Sequence, residues 1–72
     1  MVDVKREMKE KTRLAKGLVN SLDIDVDYLC MDVDSNDILC IGSSIHETKV
    51  TLGQLLDTMT ELEQLLYLIK KG

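Results

Sequence analysis

Asp32, Asp34 and Asn36 stand at alternate positions in MDVDSNDIL (residues 31–39), the spacing that opens a calcium-binding loop. Such a loop takes oxygen ligands at its positions 1, 3 and 5, a glycine at 6, an aliphatic residue at 8 and a bidentate glutamate at 12. With Asp32 first, Leu39 fills the aliphatic place, but Asp37 replaces the glycine and Ser43 replaces the glutamate. Losing that glutamate removes two oxygen ligands at once. The preceding DYLCM reads as a strand rather than an entering helix, so the stretch is read as a hairpin turn with no specific calcium site.

Cys30, Cys40 and His46, with Asp37 or Glu47, could supply four zinc ligands, but their spacing fits no compact zinc motif. Cysteines at strand positions are small hydrophobes, so both are expected to be reduced and in the core. GSSIH (residues 42–46) holds serines beside the single histidine, without the strand–turn–helix elbow and oriented base that a hydroxyl nucleophile needs. There is no glycine-rich phosphate cradle. No metal, cofactor or enzymatic activity is expected.

Charge is the most distinctive property. Net charge is −4, but it is sorted along the chain. Residues 1–16 carry six cations and three anions, residues 17–48 carry seven anions and no lysine or arginine, and residues 49–72 carry three of each. Lys5, Arg6, Lys9, Arg13 and Lys16 share one flank of a predicted N-terminal helix, a basic strip that could touch phosphates. With two tyrosines and no other aromatic residue, the chain cannot stack many bases. Asp23, Asp25 and Asp27 would line one strand face about 7 Å apart, with Asp32, Asp34 and Asp37 at the hairpin end. That surface suits a protein partner with a basic groove and could mimic nucleic acid. Equally, it could serve only to keep a strand edge soluble.

These residues need elements to hold them. Val4, Met8, Ala15, Leu18, Val19 and Leu22 recur at helical spacing, predicting an amphipathic helix over residues 4–22 with Asp3 as its N-cap. Glu7 and Lys11 stand in the favourable i,i+4 order for an ion pair. Ile24, Val26, Tyr28 and Cys30 alternate with aspartates, predicting a strand over residues 24–33, and DILCIG (37–42) predicts a second. A third could run from Ile45 to Val50. Asp34 to Asp37 is turn chemistry. Thr51 and Gln54 have the form of a capping box opening a C-terminal helix. Along it Leu52, Leu55, Met59, Leu62, Leu66 and Ile69 follow at heptad spacing and are assigned to a dimer interface.

The expected fold is therefore α+β: a single domain over residues 1–72, ordered α-β-β-(β)-α, with a central antiparallel hairpin or three-stranded sheet. A domain this small buries a thin core, and its apolar surplus predicts a homodimer. The first eleven residues show no signal-peptide core, and no apolar run approaches the ~20 residues of a membrane span. Two cysteines suit a cytoplasmic setting. The functional expectation is a small non-enzymatic interaction or regulatory protein that binds another macromolecule as a dimer. The alternatives are an acidic inhibitor mimicking nucleic acid to block an enzyme such as a nuclease, and a nucleic-acid-binding regulator using the basic helix flank.

Overall fold

The computed structural model describes residues 3–71; Met1, Val2 and Gly72 lie outside it. Two helices make up the fold: α1 (Val4–Ser35, 32 residues) and α2 (Ile38–Lys71, 34 residues). They fold back on each other as an antiparallel hairpin 54 Å long and 15 Å across. The radius of gyration is 16.4 Å, whereas a compact chain of this length would have about 11 Å.

This overturns the α+β expectation. Among the described residues there is no strand, and the segments assigned to two or three strands lie within α1 and α2. The error lies in the period. Between Leu18 and Asp32 the aspartates alternate with apolar residues, which imitates a half-buried strand. The same stretch also carries Leu18, Leu22, Asp25, Leu29 and Asp32 at spacings of four, three, four and three, which is a helix seam. No glycine or proline interrupts residues 18–41. Two long helices satisfy their own backbone, whereas a few short strands in so thin a domain would leave edges unpaired.

The helix ends are well specified. Asp3 caps α1 by accepting a hydrogen bond from the Arg6 backbone N–H at 3.2 Å. At the other end Asn36 adopts the left-handed conformation (φ 56°, ψ 34°). The Asp37 N–H donates to the Asp32 carbonyl and the Asn36 N–H to the Val33 carbonyl, the bond pattern of a Schellman turn. Asp37 then caps α2, its carboxylate accepting from the Cys40 N–H at 3.3 Å. Turn chemistry at Asp34 to Asp37 is thus real, but it joins two helices. The expected capping box at Thr51 is absent: Thr51 sits in the middle of α2.

The seam between the helices has a modest apolar content. On α1 it runs through Met8, Lys11, Ala15, Leu18, Leu22, Asp25, Leu29 and Asp32. On α2 it runs through Ile41, Ser44, Thr48, Thr51, Leu55, Thr58, Leu62 and Leu65. Ala15 is the one buried apolar residue among those described, joined by Thr51 and Thr58. Thr51 donates to the Asp25 carboxylate at 2.8 Å, and Ser44 donates to that of Asp32. Lys11 pairs across the seam with Glu61 at 2.5 Å, in place of the intrahelical bridge to Glu7 expected from spacing. The Glu61 carboxylate raises the Lys11 pKa above its ordinary value. The charge-assisted contact is therefore present below about pH 10.5 and fades as pH rises through the elevated value.

Candidate assembly surface

The residues one step beyond the seam define the most unusual surface of the molecule. On α1 these are Val19, Val26 and Val33, spaced by sevens. On α2 they are Ile38, Ile45, Leu52, Met59 and Leu66, again spaced by sevens. In an antiparallel pair of right-handed helices, one residue past the seam turns toward the same side on both. The two stripes therefore merge into one face. Every member is exposed, from 39% at Met59 to 79% at Ile38. Leu56 and Cys30 border it. The residues one step before the seam form the opposite side, where Leu14, Ile24, Tyr28, Met31, Val50 and Leu68 are also exposed but Glu7, Ser21, Glu47, Gln54 and Glu61 interrupt them.

The accessible surface exceeds that of a compact chain of the same mass. The chain's accessible surface is 5895 Å², whereas a folded monomer of 8.1 kDa has about 4,500 Å². Isolated exposed leucines are ordinary, whereas these apolar stripes run from the turn to Val19 on α1, where Thr12 and Lys5 continue the stripe, and to Leu66 on α2.

The heptad series assigned to a dimer interface divides in two. Leu55 and Leu62 are seam positions turned toward α1, while Ile69 is exposed near the end of α2. Leu52, Met59 and Leu66 lie on the exposed face. The sequence treated them as one stripe because it had no α1 partner running antiparallel along the whole of α2. Val19, Val26 and Val33 were not recognised as a face; their seven-residue spacing is the signal that could have found them.

The six aspartates are not brought into one row. Asp25 and Asp32 turn into the seam and bond Thr51 and Ser44, while Asp23, Asp27 and Asp34 are exposed around the outer girth of α1. Asp37 is the α2 cap. Hydrogen bonds from the Cys40 thiol and N–H hold its carboxyl below the usual value, and the same thiol hydrogen bond, followed by the Asp37 charge, raises the Cys40 thiol pKa. Asp32, Asp34 and Asn36 are carried by a helix end rather than a calcium loop. Among the described residues no three metal-ligating side chains converge. Both cysteines are unpaired and exposed, not in the core as expected, because the helical period turns them away from the seam. His46 is exposed on the outer side of α2.

The basic flank keeps the form given by its helical spacing: Lys5, Lys9 and Arg13 line a shallow groove with Met8 and Thr12. Among the described residues no helix is long and apolar enough to cross a membrane. No family model, curated protein or solved structure matches the chain.

Proposed function

We propose that this chain is a small, non-enzymatic interaction protein that works as a homodimer of helical hairpins. The observation that carries this reading is the exposed apolar face from Val19, Val26 and Val33 across to Ile45, Leu52, Met59 and Leu66. The outline of one side of the hairpin, 54 by 15 Å, is about 800 Å², the area each partner contributes to a standard stable interface. A second copy supplies the same apolar stripe in return, and stacking the two hairpins gives a four-helix bundle with a shared core. Two exposed thiols suit a reducing, cytoplasmic setting.

The acidic-inhibitor reading has less support, because a helix disperses the carboxylates that a strand would have aligned. The test of the dimer is the mass of the native chain. Sedimentation equilibrium at micromolar concentration is expected to give twice the 8.1 kDa chain mass. A stable, fully helical monomer refutes the reading.

A further inference from the structure

The charges on the hairpin are sorted along its long axis. The half at the open end, residues 3–19 and 55–71, holds eight cations and six anions; the half at the turn, residues 20–54, holds seven anions and one cation. A face that meets its own copy can place like halves together or unlike halves together. Resting on the proposed self-association, we infer that the second copy docks antiparallel: the acidic turn end of each hairpin lies over the basic open end of the other.

The register supports this in detail. The contacts Asp25–Thr51 and Asp32–Ser44 fix which residues of α1 and α2 share a level, and they place Val19 beside Met59 near the middle of the rod. A two-fold axis passing beside this pair, perpendicular to the helices, lays α1 on α1 and α2 on α2. On the α1 side, Lys16 then meets Asp23 of the second copy, twice by symmetry. Both side chains are exposed, one step past the seam residues Ala15 and Leu22. On the α2 side, Met59 meets Met59 and Leu52 meets Leu66. Lys49 opposite Lys70 is an unfavourable match in this register. The parallel alternative stacks the two acidic ends and aligns Lys16 with Glu63 but Lys9 with Lys70, so its charges gain nothing.

Two measurements on the full chain test the orientation. The first is a dipolar distance between nitroxides on Cys40, with Cys30→Ser removing the other thiol. Cys40 lies nineteen residues from Met59, so at 1.5 Å per residue the antiparallel dimer separates the labels by about 55 Å, while a parallel dimer holds them within about 30 Å. The second is charge exchange. Lys16→Asp alone and Asp23→Lys alone are each expected to weaken dimerisation roughly tenfold, and the double exchange to restore it. Lys16 and Asp23 are seven residues apart on one helix and are not intrahelical neighbours, so rescue reports a contact between copies. A dimer with the short distance, or with no rescue, overturns the antiparallel arrangement and leaves the homodimer standing. A monomer overturns both.

Discussion

Leu52 is the clearest place to perturb the assembly, because it lies on the exposed face and outside the seam. It keeps 46% of its surface accessible in the hairpin. Burying a whole leucine is worth about 1.5–3 kcal/mol, so covering the accessible half contributes about 1 kcal/mol. A symmetric dimer contains the contact twice, so Leu52→Ala is expected to cost about 2 kcal/mol, roughly thirtyfold in Kd. Leu52→Glu also drives two carboxylates into the interface, at several kcal/mol each, and is expected to abolish dimerisation at micromolar concentration. Sedimentation equilibrium reads both effects. Thr60→Glu, on the outer side of α2 where Thr60 is exposed, is the matched control and should leave Kd within about twofold. Thermal melting supplies a second readout: the unmodified chain should melt at higher temperature as concentration rises, and Leu52→Glu should lose that dependence. If Leu52→Glu remained a dimer with unchanged Kd, the apolar face would not be the contact surface.

Three further predictions concern the hairpin itself. Replacing Asp25 by alanine removes the cross-helix acceptor of the Thr51 hydroxyl, which keeps the Glu47 carbonyl at 3.2 Å, and should destabilise the fold by about 0.5–1.5 kcal/mol in urea unfolding. Gly53 lies in the middle of α2 with open space around its Cβ position, so Gly53→Ala should raise stability by about 0.5–1 kcal/mol and the melting temperature by a few degrees. Asp37 has a depressed pKa, so its capping contribution is present above about pH 3.8 and lost as pH falls through the lower folded value. Asp37→Asn should remove that acid-dependent step from a helicity titration and speed alkylation of Cys40 at pH 8, because the carboxylate that disfavours its thiolate is gone.

The two ends of the molecule were legible from the sequence, and the middle was not. The periodic residues from Val4 to Leu22 and from Leu52 to Ile69 have one dominant period, and the structure makes both segments helical. Residues 24–33 carry two periods at once. Their alternation of aspartate with isoleucine and valine is local and conspicuous. The competing seam through Leu22, Asp25, Leu29 and Asp32 is hidden because two of its four members are acidic. Acidic seam residues make sense only once Thr51 and Ser44 are known to lie opposite them, and that pairing is a property of the hairpin as a whole. Asn36 was readable as a turn residue because asparagine tolerates the left-handed conformation whatever flanks it, although Asp34 and Ser35, read into the same turn, belong to α1. The exposed face had a similar history. Its α2 half was visible as an apolar excess, while in its α1 half Val19 was read into a helix stripe and Val26 and Val33 into a strand.

The turn at Asn36 also sets the order in which the fold can assemble. Every cross-helix contact closes a loop through this one point, so the contacts form a graded series. Ser44 and Asp32 are 12 residues apart and Thr51 and Asp25 are 26 apart, while Lys11 and Glu61 lie far beyond both. The entropy of closing a loop rises by only about 0.6 kcal/mol for each doubling of its length, but once an inner pair has closed, the next needs only a few more residues to be ordered. The hairpin therefore closes like a zip from Asn36 outward, with hydroxyl–carboxylate pairs as its first teeth and the charged pair as its last. A chain rich in such local contacts folds fast, so in the proposed dimer the concentration-dependent docking of the two hairpins is the slow step.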